Sequence, residues 1–419
     1  MNSFYGKEFD RWVKDGHGSS NHTLREVGLK HFQELGFPTT RQEEWRFTNV
    51  SQLGKSHYSW SSSTKVDEQA IQKLLDEHRI ADTYTICMIN GVLNKNLSNF
   101  HESIIIEDIL SANTDSFHEN SISTPFTDWN TAFYNSGLYL EIPDNIQIEK
   151  PIRVIWINQF NSHTEVVHSK SHVNMGLNSE AVIIDHFLTD SNYESIINHV
   201  SGIQLNENSQ CEYIKIQEET SAKHFHSLDV IQDANSRYIS TQLATGSPLN
   251  RNECTIIQQG EGCDSKLYVL GLQRDQHHVD YQTIIRHDNI HGTSREVVKN
   301  ILRDSSRAVF NGRVIVARGS QKTDAFQSNK NILLSKNARV NANPQLEIYA
   351  DDVACSHGST TGELDDDALF YLRSRGIGLD EAQSLMISGF ATEVIENISS
   401  ESIRDLFTLR LENWLEAKA

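Results

Sequence analysis

The spacing of hydrophobic positions changes twice along the chain. From 23 to 35, Leu24, Val27, Leu29, Phe32 and Leu35 recur at helical spacing, and Gly36 and Pro38 end the run. An amphipathic helix is expected there. A second helical spacing, Ala70, Ile71, Leu74 and Leu75, lies within 66–80. Segments 84–89 and 91–93 flank Asn90-Gly91, the dipeptide of a tight hairpin turn. From about 133 to 358 the period becomes two, with short runs at 138–142, 152–157, 181–184, 213–216, 266–270, 309–316 and 345–349. These predict strands, and no long helical pattern interrupts them. After 362 the helical period returns. Asp365, Asp366 and Asp367 put acid at a helix N-terminus ahead of Leu369, Phe370 and Leu372. Asp380 is expected to cap a second helix with Ala382, Leu385, Met386, Phe390, Val394, Ile395 and Ile398, and a third follows Ser400. The chain divides into a helix-leaning region 1–120, a β core 121–361 and a helical region 362–419.

Polar triplets precede the strand runs: Asn178-Ser179-Glu180, Asn208-Ser209-Gln210, Asn235-Ser236-Arg237, Asp264-Ser265-Lys266, Asp304-Ser305-Ser306 and Asn337-Ala338-Arg339. The first four recur every ~27–30 residues, the last two are ~32 apart, and ~40 residues separate the groups. That period, with several strands per repeat, is what a solenoid coil produces. One coil cannot bury its inward side chains, whereas stacked coils bury them and pair every internal strand edge. The fold class expected is mainly β: a right-handed parallel β-helix core with α-helical N- and C-terminal regions. A β-sandwich or jelly roll also yields many short strands, and the pattern alone leaves both open.

Composition narrows the function. Apolar residues make up 37% of the 419, enough for a core, and the formal charge of −19 repels phosphate backbones. Nucleic-acid binding is not expected. No run of eighteen apolar residues suggests a membrane span. The first eighteen residues carry Lys7, Glu8, Asp10, Arg11, Lys14 and Asp15 with no apolar stretch after them, so no secretory signal is read. The five cysteines, Cys87, Cys211, Cys254, Cys263 and Cys355, are scattered and form no CxxC. A disulfide framework, a zinc ribbon and a self-contained four-thiolate cluster are not expected, and a cytoplasmic setting is. There is no Walker A loop, GxSxG elbow or HExxH, and Gly376-Ile377-Gly378 lacks a third glycine. A non-catalytic role follows.

The chemistry concentrates in 344–358, PQLEIYADDVACSHG. Alternation points Leu346, Ile348 and Ala350 inward and Glu347, Tyr349 and Asp351 outward, and a strand that stayed regular would add Cys355 and His357 to the outward face. A thiolate and an imidazole two residues apart can reach one soft metal together. Two ligands leave iron's other positions to sulfide or to another chain. The pattern C-x-H also fits a small buried cysteine beside a hydrogen-bonded histidine. The other histidines singled out, His163, His168, His172, His224, His226, His277 and His278, are expected at the surface or in turns. Asp351 and Asp352, adjacent on a strand, would not converge as a sugar-cleaving pair.

These residues belong to a longer set: DSSRAVFNG at 304–312, KTD at 322–324, 329–335, 344–358, FYLRSRGI at 370–377 and EEWRFT at 43–48. Together they resemble the SufB/SufD family of iron–sulfur cluster assembly subunits. Cys355-Ser356-His357 stands where SufB-like chains carry Glu-His-Glu, and Tyr371-Leu372-Arg373 where they read Tyr-Cys-Arg, so the resemblance is to the SufD branch. It implies pairing with SufB through the C-terminal end of the solenoid, near Glu347, Tyr349 and Asp351. It implies docking of the ATPase SufC on the C-terminal helices, for which Leu385, Met386 and Phe390 are the candidates. It implies that His357, with Cys355 beside it, helps hold a transient iron–sulfur cluster at the subunit interface. It also leaves room for reduced FAD in the complex and for a homodimer of the isolated chain. Two other classes compete: a β-helix polysaccharide lyase or hydrolase, and a purely structural interaction protein without a metal role.

Overall fold

The computed structural model describes residues 2–18, 21–60, 67–112, 123–190 and 193–417. Strands alternate between two ten-stranded sheets. One contains β5 (Gly137–Ile142), β7 (Glu165–Met175), β9 (Ile196–Leu205), β11 (Lys223–Gln232), β13 (Leu249–Gln258), β15 (His278–His287), β17 (Arg307–Val316) and β19 (Arg339–Ile348). The other contains β6 (Ile152–Asn158), β8 (Glu180–Thr189), β10 (Gln210–Gln217), β12 (Arg237–Thr245), β14 (Asp264–Gln273), β16 (Thr293–Leu302), β18 (Asp324–Leu333) and β20 (Ala354–Gly362). All these neighbours pair in parallel. The chain winds as a β-solenoid of about seven turns, each giving one strand to each sheet.

The turns explain the repeat. Glu180, Gln210, Arg237, Asp264, Thr293, Asp324 and Ala354 align across the even-numbered sheet. Two places before the first six stand Asn178, Asn208, Asn235, Gly262, His291 and Lys322, all left-handed with φ between 53° and 69°. Asparagine and glycine tolerate that conformation best. The triplets read from the sequence mix two series. Asp264 is already the first residue of β14, and Gly262 takes the turn position. Asp304, with φ 58°, and Asn337 precede β17 and β19 in the opposite sheet. The long gap between the triplet groups is one coil plus the crossing between sheets.

At the N-terminal end, β2 (Tyr84–Ile89) and β3 (Val92–Asn99) form the expected hairpin, with Asn90 and Gly91 at φ 47° and 83°. β2 joins β6, and β4 (Ile105–Asp108) pairs antiparallel with β5. Helices α1 (Asn2–Lys14), α2 (His22–Leu35) and α4 (Pro125–Phe133) cover the outer face of the odd-numbered sheet, where Tyr5, Trp12, Phe32, Trp129 and Phe133 pack on Val166, Ile196, Phe225 and Leu249. The two-residue strand β1 (Ser59–Trp60) adds to β7 there. The segment EEWRFT is a clasp on the same face. The Arg251 guanidinium lies 3.6 Å from the Trp45 ring centroid and donates to Glu44 O at 2.9 Å and Asp280 Oδ2 at 2.6 Å. Thr48 donates to the same Asp280 carboxylate.

Helix α3 (Glu68–Glu77) and the C-terminal helices cover the even-numbered sheet. α6 (Leu379–Ile395) and α7 (Glu401–Glu416) bury Ile387, Val394, Ile403, Phe407 and Leu411 against Ile184, Ile214, Leu243, Leu270 and Val297. Both faces of the sheets are therefore largely dry, and all seven residues of β6 are buried. Asp380 lies in the first turn of α6, where the helix dipole favours it, and Gly378 holds the cap position. Helix α5 (Asp366–Ser374) buries no residue and depends on its cap, as Asp365 Oδ1 accepts the N–H groups of Asp367 and Ala368 at 2.9 Å. Asp365→Ala is expected to cost α5 about 1 kcal/mol. Faster amide exchange confined to α5 would show it, and unchanged exchange would contradict it. No helix among the described residues is long and apolar enough to cross a membrane.

Candidate functional site

The last coil has no coil above it. Among the described residues, β19 pairs only with β17 and β20 only with β18. Every residue of β19 and β20 is exposed or half-buried, in contrast to the strands beneath. Two parallel rows of backbone N–H and C=O groups are thus left without a strand partner.

Segment 344–358 crosses this open end. On β19 the expected alternation holds. Leu346 packs on the interior cluster, and Ile348 faces the same way but is 40% exposed, with no further strand among the described residues above it. Glu347 faces outward and pairs with Arg313 at 3.3 Å, and the Tyr349 hydroxyl lies 3.4 Å from the Glu347 carboxylate. Alternation then stops, because the chain turns from one sheet to the other at 349–353. Asp351 sits exposed in that corner rather than on a strand, and Asp352 pairs with Lys322. The count restarts on β20. Cys355 aligns with Ala325 and packs on the solenoid interior, so it does not share the outward face of Glu347. His357, two residues on, faces the same interior side at the open mouth and is exposed. The structure therefore brings Cys355 and His357 together on one strand face and sets them apart from Glu347, Tyr349 and Asp351. Burial pushes the Cys355 thiol up, so a metal would have to displace its proton.

The C-terminal helices present a second surface. Leu385 is half exposed, Met386 half-buried, and Phe390 is tied to the solenoid. Lys299 donates to Phe390 O at 2.6 Å, lies 4.4 Å from the Phe390 ring and pairs with Glu393 at 2.6 Å. On α5 and α6 the large apolar groups that face water are Phe370, Tyr371 and Leu379, at 74%, 56% and 43% exposure, together with Leu385; on α7 Leu409 does so alone. The sequence reading missed Phe370 and Tyr371 because their spacing looks like any inward stripe. The missing signal is that α5, which meets α6, fully buries none of its residues.

The histidine expectation fails in part. His163 is exposed, but His168, His172, His224 and His226 are buried, since their strands are covered on both faces. One cluster was not legible at all: donor atoms of His78, His186 and Glu218 lie within 4.8 Å of one another. They are committed to each other. Arg153 Nη2 lies 2.9 Å from His186 Nδ1, and a guanidinium only donates, so Nδ1 accepts and Nε2 carries the hydrogen given to Glu218 at 2.7 Å. Arg410 of α7 pairs with the same Glu218. The cluster reads as a lock joining α3, the solenoid and α7.

Comparison with known proteins agrees with this architecture. The SufBD protein N-terminal region matches residues 5–154, and the SufBD core domain of the SUF system for FeS cluster assembly matches 157–390. The chain is 28% identical over 396 residues to the iron–sulfur cluster assembly protein SufD of Escherichia coli, covering 93% of each chain. It is 29% identical over 391 residues to a SufBD family protein of Synechocystis sp., covering 88% of this chain and 86% of that one. It is 25% identical over 288 residues to SufD of Bacillus subtilis, covering 66% and 64%. With the solenoid and α5 falling inside the matched regions, the chain belongs to the SufBD family of iron–sulfur cluster assembly proteins and is of the SufD type.

Proposed function

We propose that this chain is a non-catalytic scaffold subunit that joins a SufB-type chain through its open last coil and a SufC-type ATPase through its C-terminal helices. The observation that carries the reading is the unpaired pair of edges, β19 and β20, with His357 exposed at their mouth. Such edges accept strands from another chain by backbone pairing. The cluster is cargo. His357, and Cys355 once deprotonated, supply part of its ligation, and thiolates of the partner or sulfide supply the rest. Incomplete ligation by this chain suits a site that must release what it assembles. The exposed row of Phe370, Tyr371, Leu379 and Leu385 gives the ATPase an apolar surface, and α6, pinned to β16 and β18 through Glu393, connects that surface to the strands next to the seam.

The test is His357→Ala in a complex reconstituted anaerobically with both partners. Iron and sulfide per complex are expected to fall at least ~10-fold while assembly is unchanged. Normal loading in a normally assembled complex would remove His357 from the ligand set.

A further inference from the structure

One inward row of the even-numbered sheet leads directly to His357. In register, Glu296 of β16 aligns with Gln327 of β18, and Gln327 with His357 of β20. The row below is closed by the buried Leu267 of β14. Glu296 and Gln327 are both completely buried. Gln327 Nε2 donates to Glu296 Oε2 at 2.7 Å. An ionised carboxylate can only accept, so with Glu296 charged the bond comes from the amide's nitrogen end and fixes which way the amide is turned. The other end, Gln327 Oε1, has no hydrogen-bond partner among the described residues. Space for this arrangement is kept across the lumen by Gly312 of β17, where an added Cβ would come within 2.5 Å of Gln327 Nε2 and 2.4 Å of the Phe310 ring.

We infer that Gln327, held in orientation by Glu296, is the residue that positions the His357 imidazole for metal. The inference rests on the reading of His357 as a cluster ligand at the partner seam. His357 is the residue in register above Gln327, and it is left exposed by the described residues. The amide oxygen is already shut away from water and needs a donor, and the imidazole above it can supply one. A neutral imidazole has one N–H and one lone pair. Giving the N–H to Gln327 leaves the second nitrogen free as a ligand and fixes the ring's tautomer. Gln327 and Glu296 are thus positioning residues behind the ligand.

The experiment reads the tautomer directly, without metal. The full-length chain is labelled with 15N-histidine and assembled with unlabelled SufB-type partner, and a His357→Gln sample identifies the His357 ring signals. In the wild type, one ring nitrogen is expected at the protonated position and the other at the unprotonated position. In Gln327→Leu both should move toward the average. Glu296→Gln, which conserves volume, should give the same averaging with Gln327 in place, because the amide is then free to turn over. Cluster loading of the Gln327→Leu complex should fall about 10-fold. An averaged wild-type signal, or a signal unchanged by Gln327→Leu, overturns the proposal. A single tautomer retained in Glu296→Gln overturns the part assigned to Glu296. Because the signal needs no cluster, it stands apart from the ligand role, which fails instead if His357→Ala loads normally.

Discussion

Lowering the pH from 7 to 5 is expected to remove about 7 kcal/mol of folding stability through four buried histidines, each contributing close to 2 kcal/mol. Burial pushes His168 down to about 3, and His172, His186 and His287 to about 4. Lys170 adds to the shift at His172, and Arg153 adds to it at His186. In the unfolded chain the same side chains titrate near 6.5. Between those values the unfolded state holds a proton that the folded state refuses, so stability falls as the pH drops through 6.5 and keeps falling toward 4. Each group then costs about 1.4 kcal/mol per pH unit. His199, His224 and His226 are shifted in the same direction by the same cause and steepen the loss. Total stabilities of domains are only about 5–15 kcal/mol, so the solenoid should open well above the range where carboxylates titrate. Urea unfolding from pH 8 to pH 5 measures this directly. Asp185, Glu212 and Glu296, whose carboxyls burial pushes up, take up protons in the fold as the pH falls and offset part of this loss, so a flat profile would mean that these histidines are charged in the fold, are not buried, or are balanced by those carboxyls.

Those histidines mark where the sequence stops being readable. The coil period was visible because asparagine recurs at left-handed turn positions, as at 178, 208 and 235. Both sheets use the same turn chemistry, so the turns before β17 and β19 merged with those of the other sheet. A strand such as β11, KHFHSLDVIQ, is more polar than apolar, yet nearly all of it is buried. Helices ninety residues and more away in the chain cover its outer face, and no local pattern reports that. The faces of Leu346, Glu347 and Tyr349 were readable because β19 is regular. Those of Cys355 and His357 were not, because the corner between the sheets is built from Ala350, Asp351, Asp352 and Val353, without a glycine or proline to announce it. The row from Glu296 through Gln327 to His357 exists only through strand register across some sixty residues.

A chain carrying Phe370→Ser and Leu385→Ser is expected to lose at least ~100-fold in affinity for the SufC-type ATPase while keeping its fold. Both side chains point into water, at 74% and 50% exposure, so removing them should not open a core. Apolar groups on an exposed surface have no folding role that requires them there, and an aromatic anchor at the centre of an interface is typically worth about 2–4 kcal/mol. Loss of one such anchor alone predicts a drop of about 30- to 1,000-fold. Phe390 separates the two roles of these helices. Its ring packs on the solenoid-side cluster and under Lys299, so Phe390→Ala should loosen α6 from β16 and β18 before it touches any docking surface. Calorimetric titration of each purified variant with the ATPase, beside thermal unfolding of the variant alone, distinguishes them. The double serine variant should show weak binding with normal unfolding, and Phe390→Ala the earlier unfolding. If the double variant binds the ATPase as tightly as the wild type does, the exposed row on α5 and α6 is not the docking surface.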